Sequence, residues 1–424
     1  MDITIQPNPI GGTVQVPPSK SLSHRALICA ALADGESTLE HLLVSEDIVA
    51  TCGVLEALGA KIEKLNADGS KLKIKGCGRP FVGNITLDCH ESGSTVRFLM
   101  PLAAINAKNV ILTGKGRLPK RPLEPYRPIF EASQISWKTE GTDALPLILN
   151  GTLKPGDYKM PGNVSSQFIS GLLFALPLLD HPSTLRVTTP LESRPYVDLT
   201  LGVLKRYGIS IDVSEDGRFY TIPGAQHYHA ADYSVEGDFS QAAFWFAFGV
   251  NGRAVRCENL PKTSLQGDAV IIPLIRQMGG QVEWQDGAWV AQPSVRHGID
   301  MDVSQCPDLM PILAVLAATA EGQSRIVGAG RLRLKESDRL SAMADLLTRL
   351  DVRVEEAPDG MTIWGVSQLT GGEIDTVNDH RIAMAAAAAS ECCSGPMIIR
   401  GAEAVGKSYP DFWQDFRQNG GQMA

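Results

Sequence analysis

An α+β fold of two domains, each built from three repeated units, is what this sequence predicts, and three observations carry that reading. A helix-like segment that ends in a turn and runs into a short strand recurs six times, its turn falling at Gly59, Gln134, Gly208, Gly279, Asp351 and Gly420. The spacings are 75, 74, 71, 72 and 69 residues, longer than the roughly 20–50 residues of solenoid repeats and long enough for a small module of helices and strands. An apolar, alanine-rich run accompanies each copy, at 26–33, 96–105, 168–179, 241–249, 309–320 and 381–390. Finally, 424 residues exceed what one hydrophobic core usually fills.

Each element has a physical reason. Four of the six turn residues are glycine, as a left-handed helix C-cap favours, and Asp351 tolerates that conformation better than most residues. The apolar runs are hydrophobic on nearly every side and are expected as buried helices. Strands are expected at 71–75, 110–113, 184–187 and 361–364, each bounded by Gly, Pro or polar turns. The first buried helix opens at Pro17-Pro18-Ser19-Lys20-Ser21: the prolines hold the approach extended, Ser19 or Ser21 caps the helix, and Asp34-Gly35 closes it. No glycine-rich turn precedes Lys20, so this is not a nucleotide P-loop. The stretches ahead of the other runs are Glu91-Ser92-Gly93-Ser94-Thr95, Asn163-Val164-Ser165-Ser166-Gln167, Gly237-Asp238-Phe239-Ser240-Gln241, Cys306-Pro307-Asp308 and Asn378-Asp379-His380-Arg381. Each is expected as an N-cap-rich turn, and helix starts that converge would favour an anion.

Composition narrows the function. Hydrophobic content of 44% and charged content of 20% are those of a soluble globular protein. A net charge of −8 argues against general nucleic-acid binding. No apolar run reaches membrane-spanning length, and Met1-Asp2-Ile3-Thr4-Ile5 lacks the basic-then-apolar pattern of a signal peptide. The eight cysteines are scattered without zinc-site spacing, so free thiols in a reducing cytoplasm are expected. Within this acidic chain Lys20, Arg25, Arg97, Lys120, Arg121, Arg194, Lys335, Arg339, Arg381 and Lys407 gather near helix starts and Gly/Pro turns, as phosphate- and carboxylate-bearing ligands would require. The densest patch, 331–339, reads on its own as a solvated helix face.

Taken in chain order, Lys20-Ser21 with Arg25, Gly93-Ser94-Thr95-Val96-Arg97, Arg121-Pro122, Ser165-Ser166-Gln167, Pro307-Asp308, Lys335-Glu336-Ser337-Asp338-Arg339, Asn378-Asp379-His380-Arg381 and Gly406-Lys407 resemble the motif series of the EPSP synthase family, the 3-phosphoshikimate 1-carboxyvinyltransferases. The resemblance covers essentially the whole chain. It implies an enolpyruvyl transferase-like inverse barrel of two domains, 1–17 plus 237–424 and 18–236, each of three α/β units with buried parallel helices, and an active site in the cleft between them. The implied reaction moves the enolpyruvyl group of phosphoenolpyruvate to the 5-hydroxyl of shikimate 3-phosphate and releases phosphate, by addition–elimination with no metal or organic cofactor. Asp308 is then the base, and Glu336 and Lys20 deliver protons. Lys20, Gly93, Arg121, Gln167, Arg339, Arg381 and Lys407 line the phosphoenolpyruvate side. Ser21, Arg25, Ser165, Ser166, Gln167, Ser193 and Lys335 hold the shikimate phosphate, and Asp308 contacts substrate as well. The expected partners are these small molecules, with no nucleic acid and no membrane, and the expected state is a cytoplasmic monomer.

Two departures from the family pattern stand out. Glu91-Ser92-Gly93-Ser94-Thr95 replaces the Asn-Ala-Gly-Thr-Ala of many members, and a carboxylate at Glu91 must be paired or turned away if a phosphate sits beside it. Arg331 stands where asparagine is frequent. Two other readings compete. The sister enzyme acting on UDP-N-acetylglucosamine typically carries Lys-Asn in the first motif and a cysteine-bearing loop, whereas Ser21 follows Lys20 here and 117–121 has no cysteine. A non-catalytic anion-binding homologue would gain nothing from Asp308 and Glu336 placed beside its lysines.

Overall fold

All six repeat turns adopt the left-handed conformation: φ is 109° at Gly59, 60° at Gln134, 84° at Gly208, 95° at Gly279, 65° at Asp351 and 105° at Gly420. Each is closed by the same backbone bond, from the N–H one residue past the turn to a carbonyl five residues earlier. The six pairs are Ala60–Leu55, Ile135–Phe130, Ile209–Leu204, Gly280–Ile275, Val352–Leu347 and Gly421–Phe416. This Schellman geometry satisfies helix-end carbonyls while the chain reverses into a strand.

The computed structural model describes residues 1–80 and 83–424, which divide into a single-segment unit, Ser19–Val235, and a two-segment unit, Met1–Pro18 with Glu236–Ala424. The helices of the single-segment unit are α1 Lys20–Leu32, α2 Glu46–Ala57, α3 Gly93–Ala103, α4 Arg127–Ala132, α5 Ser166–Ala175 and α6 Arg194–Arg206. Those of the two-segment unit are α7 Phe239–Asn251, α8 Ile271–Gln277, α9 Met310–Ala318, α10 Arg339–Arg349, α11 His380–Ser390 and α12 Phe412–Gln418. The odd-numbered helices α1, α3, α5, α7, α9 and α11 carry the apolar runs and are buried almost throughout, apart from Lys20 and Ser21 of α1, Ser94 of α3, Gln167 of α5 and Asn251 of α7, which are half-buried; α4 is short.

Among the described residues, six four-stranded sheets repeat one topology, a parallel pair extended by two antiparallel strands. In the single-segment unit Ile85–Asp88 runs parallel to Ala107–Thr113, with Ile85 opposite Val110, and Leu147–Gly151 and Ser136–Thr139 continue antiparallel. The unit closes on itself when Tyr233–Ser234, from its far end, pairs parallel with Glu36–Glu40. The two-segment unit closes likewise, because the N-terminal strand Asp2–Gln6 lies antiparallel to both Met397–Arg400 and Gln422–Met423. Glycine matters where the buried helices meet. A Cβ at Gly171 of α5 would lie 2.3 Å from the Arg97 carbonyl of α3, so the side chain is absent where the backbones touch.

Five of the six stretches ahead of the buried helices are side-chain caps. Ser19 accepts from Leu22 N–H, Ser92 from Thr95, Ser165 from Gln167, Asp238 from Ser240 and Gln241, and Asp379 from Arg381. The sixth differs from expectation: Pro307–Leu309 forms a 3-10 turn that runs straight into α9, and no side chain caps it. Asp308 is thereby released from capping and turned toward cations. The stretch 331–339 also differs from a solvated helix face. It is a 3-10 turn at Gly330–Leu334, a loop, and the start of α10, where Arg339 is buried; several of its charges face inward to partners far along the chain. All eight cysteines are free thiols. Among the described residues no helix is long and apolar enough to cross a membrane.

Candidate active site

In the single-segment unit the helix starts gather cations. Lys20, first residue of α1, forms an ion pair with Asp47 of α2 at 3.2 Å. Arg25 lies one and a half turns further on and is buried. Its Nε donates to Thr200 Oγ1 at 2.8 Å, Nη1 to the Ser21 carbonyl at 2.7 Å and Nη2 to the Tyr196 carbonyl at 2.8 Å, with the guanidinium 5.1 Å above the Phe98 ring. These partners are a hydroxyl, two carbonyls and a ring. Burial lowers its pKa to about 10, so it stays charged at neutral pH. A buried cation held only by neutral dipoles is costly without a counter-charge, which suits it to an anionic ligand.

The starts of α3 and α5 are tied through Gln167. Its Nε2 donates to Ser94 Oγ at 2.9 Å, and its Oε1 accepts from Arg97 Nη1 at 2.8 Å. Arg97 also donates to the Pro122 carbonyl at 3.2 Å and lies 5.0 Å above Phe168, so it braces the segment that carries Arg121. Arg121 is buried against Gly93, where a Cβ would come within 2.7 Å of its Nη1. Ser165 caps α5 and Ser166 is buried beside it. Ser193 heads α6 at a left-handed φ of 54°, an uncommon conformation for a non-glycine residue. It precedes by three residues the Tyr196 carbonyl that holds Arg25. The Glu91 carboxylate lies against the backbone of Gly116. Lys120 is exposed, and Arg194 pairs with Asp198 at 3.7 Å.

The two-segment unit holds a denser ionic web. Asp308 Oδ1 accepts from Arg339 Nη1 at 3.0 Å, Oδ2 from Arg381 Nη2 at 3.1 Å, and Lys335 Nζ stands 3.6 Å away. Arg381 also donates to the Asp308 carbonyl at 2.9 Å and to Ser240 Oγ at 2.8 Å. Arg339 reaches Glu336 at 2.7 Å and Asp379 at 2.8 Å, and Ser337 donates to the same Asp379 oxygen at 2.9 Å. Asp379 is completely buried, so one carboxylate fixes Arg339, orients Ser337 and caps α11. The turn before it is strained: Val377 and Asn378 sit at φ of 47° and 59°, and a β-branched residue there is an outlier. Lys407 donates to the carbonyl of that Asn378 at 3.1 Å.

Charge state follows from this packing. Burial works to raise the Asp308 carboxyl, but Arg381, Lys335 and Arg339 outweigh it and hold the pKa well below the usual range, against Glu336. Burial pushes the Lys335 ammonium down to about 8, with Arg339 and Arg331 adding to the effect and Asp308 and Glu336 opposing it. Burial disfavours the charge on Arg339, yet Asp379, Glu336 and Asp308 push its pKa up. A resting web of this kind contains an ionised carboxylate, a lysine able to titrate near neutrality, and guanidiniums that an incoming anion can recruit.

The fold therefore brings Asp308, Lys335, Glu336, Arg339 and Arg381 into one web, sets Lys407 beside the turn before Asp379, and in the other unit groups Lys20, Ser21 and Arg25 on α1 and Gly93, Arg121, Ser165, Ser166 and Gln167 around α3 and α5. Sequence reading missed Asp47, Tyr196, Thr200, Ser240 and Asp379 as partners, and Arg97 as the brace for Gln167. The capping stretches Asn378-Asp379 and Asp238-Phe239-Ser240 were a usable signal for two of them. Among the described residues no group of three His, Cys, Asp or Glu side chains is placed to hold a metal ion.

Comparison with known proteins agrees along the full length. A family model for EPSP synthase (3-phosphoshikimate 1-carboxyvinyltransferase) matches residues 5–416. The 3-phosphoshikimate 1-carboxyvinyltransferases of Clostridium kluyveri and Clostridium acetobutylicum are each 47% identical over 421 residues, covering 99% of this chain and 98% of theirs. The structure of an EPSP synthase from Acinetobacter baumannii superposes with a TM-score of 0.83 at 28% identity, covering 100% of this chain and 99% of that one.

Proposed function

The chain belongs to the EPSP synthase family, and from that premise we propose how its residues divide the work of transferring the enolpyruvyl group of phosphoenolpyruvate to the 5-hydroxyl of shikimate 3-phosphate. In the addition step the hydroxyl loses its proton as its oxygen bonds to C2 of phosphoenolpyruvate, and the C3 methylene gains a proton to become methyl. In the elimination step the methyl gives a proton back and phosphate leaves C2. Asp308 takes the hydroxyl proton, and Lys20 and Glu336 serve the proton at carbon. Lys20, Gly93, Arg121, Gln167, Arg339, Arg381 and Lys407 are assigned to phosphoenolpyruvate. Ser21, Arg25, Ser165, Ser166, Gln167, Ser193 and Lys335 are assigned to shikimate 3-phosphate, whose phosphate supplies the counter-charge that Arg25 needs.

The observation that carries this reading is Asp308 gripped by Arg339, Arg381 and Lys335. A mere phosphate receptor gains nothing from a carboxylate that competes with its ligand for cations. A base does gain, because an arriving anion draws the same cations away and lets the carboxylate's proton affinity rise when it is needed. The enzyme is proposed to work as a cytoplasmic monomer on small molecules, a setting that eight free thiols favour. A phosphate-release assay tests the whole reading. Release must require both phosphoenolpyruvate and shikimate 3-phosphate and must fail when UDP-N-acetylglucosamine replaces the latter; release with the UDP-sugar, or none with either acceptor, refutes it.

A further inference from the structure

Behind Lys20 runs a buried chain of hydrogen bonds that none of the roles above uses. His24 Nδ1 lies 2.8 Å from Thr51 Oγ1, Thr51 Oγ1 lies 2.7 Å from Thr95 Oγ1, and Thr95 Oγ1 lies 2.7 Å from Ser92 Oγ. The Thr51 and Thr95 hydroxyls also approach the Asp47 carbonyl, at 3.2 and 3.4 Å. None of the four side-chain-bearing residues is more than 1% exposed. They belong to α1, α2, α3 and the cap of α3, so the chain ties three helix starts together at the point where Lys20 meets Asp47.

His24 sets the direction of donation. Its ring is neutral, because burial, with Lys20 and Arg25 adding repulsion, lowers its pKa well below the ordinary value. Its Nε2 is buried with no partner. A buried N–H without an acceptor is costlier than a bare lone pair, which places the proton on Nδ1, donated to Thr51. The Thr51 hydrogen then goes to Thr95 or to the Asp47 carbonyl, and the Thr95 hydrogen to Ser92 or to that same carbonyl. Every arrangement ends on the backbone of Asp47 or on the residue that caps α3. Valine would fill the space of either threonine equally well, so packing alone does not call for hydroxyls here.

Resting on the assignment of Lys20 to the reaction, we propose that His24, Thr51 and Thr95 are positioning residues that clamp the start of α2 to α1 and α3 and so hold Asp47 where its carboxylate fixes the Lys20 ammonium. The pair itself is only partly buried, with side-chain exposures of 17% and 16%, and an ion pair of that kind has little geometric rigidity of its own. Rigidity has to come from the elements that carry it, and a site is accurate only when its supporting shell is locked. The same clamp seats Ser92, and with it Gly93, against which Arg121 rests.

The test uses the full chain with Thr51→Val, Thr95→Val, Thr51→Ser and Lys20→Met. Three quantities are read: steady-state kinetics for both substrates, the thermal midpoint, and the rate at which an amine reagent labels Lys20 relative to the other lysines, followed by peptide mass mapping. Thr51→Val and Thr95→Val should each lower kcat/KM for phosphoenolpyruvate by about five- to thirtyfold, the equivalent of one or two hydrogen bonds. KM for shikimate 3-phosphate should hold, Lys20 should label faster, and Thr51→Ser should restore the parent values. If both valine variants lose only thermal stability while kinetics and Lys20 labelling stay at parent levels, the clamp is structural and the proposal fails. Should one valine variant not fold, the other decides. A Lys20→Met enzyme with parent turnover would overturn the role of Lys20 instead, and the labelling rates in the threonine variants would still decide whether the clamp exists.

Discussion

Glu391, the C-cap residue of α11, carries a prediction about stability that can be worked through. Its Oε1 accepts from the Ile10 N–H at 2.5 Å, and its Oε2 is buried with no partner. Gly252 leaves the carboxylate room, since a Cβ there would collide with Oε1. Burial pushes the carboxyl up to about 8, against the Ile10 N–H and the Arg296 charge, which favour ionisation. The folded state therefore holds this proton more tightly than the unfolded chain does. Its contribution is fully favourable below about pH 4.5 and is lost as pH rises toward 8, at about 1.4 kcal/mol per unit. The cumulative penalty is roughly 3 kcal/mol at pH 7 and roughly 4 kcal/mol at pH 8, and it levels off at about 5 kcal/mol above that. Glu391→Gln keeps the acceptor for Ile10 and cannot ionise, so it should match the parent near pH 4.5 and exceed it increasingly up to pH 8.

Five of the six tryptophans, Trp245, Trp284, Trp289, Trp364 and Trp413, lie in the two-segment unit, so urea unfolding followed by tryptophan fluorescence reports where Glu391 sits. The difference between variant and parent is the quantity to plot against pH. Other titrating groups act on both proteins alike, including Asp308, whose depressed pKa makes its contribution fall away only as pH drops. A difference that stays flat between pH 5 and pH 9, or a variant less stable than the parent at pH 8, would show that Glu391 is not held protonated by burial.

Three further outcomes follow from the geometry. Asp308→Asn should cut kcat by about a hundredfold or more, the usual worth of a positioned base, with a circular dichroism control for folding; near-parent turnover would exclude Asp308 as the base. Gly93→Ala forces the Arg121 guanidinium, 2.7 Å from the new Cβ, to move, and KM for phosphoenolpyruvate should rise about tenfold through one weakened charge-assisted contact; an unchanged KM would remove Arg121 from that ligand. Arg296 is buried and donates to the carbonyls of Val250 and Ser294 at 2.8 and 2.9 Å and to Thr319 Oγ1 at 3.2 Å. Arg296→Met should cost about 3 kcal/mol in urea unfolding by stranding helix-end carbonyls, and a loss under about 1 kcal/mol would mean that water replaces those bonds.

What was legible in the sequence was what local geometry decides. A helix end needs a left-handed residue and a six-to-one backbone bond, so Gly59 and Gly208 declared themselves, and even Gln134 and Asp351 could be placed by their spacing from the glycines. Caps were legible for the same reason: Ser19, Ser92, Ser165, Asp238 and Asp379 each bond an N–H two or three residues on. Cys306-Pro307-Asp308 looked like a sixth cap because short polar residues beside proline are ambiguous, and only the packed helix reveals that the 3-10 turn needs none. The stretch 331–339 misled for a deeper reason. Its alternation of charges matches an exposed helix, but Arg339 finds Asp308 31 positions and Asp379 40 positions away in the chain. Pairings across such distances are fixed by tertiary packing, and no local pattern encodes them.

The same distinction separates two kinds of cation that the sequence presented as one cluster. Arg25 rests on Thr200, Ser21 and Tyr196 oxygens, so a phosphate would be the first full negative charge to reach it, and binding there is nearly pure gain. Arg339, Arg381 and Lys335 already share Asp308, while Arg339 also holds Glu336 and Asp379. An anion that binds these cations must divide their charge with carboxylates in place. Binding is weaker for it, but each increment of positive field drawn from Asp308 makes that carboxylate more basic, at about 1.4 kcal/mol per pKa unit. Arg25 is thus suited to anchor a ligand and the web around Asp308 to convert the arrival of a ligand into proton affinity, a difference set by which of these cations already share a carboxylate.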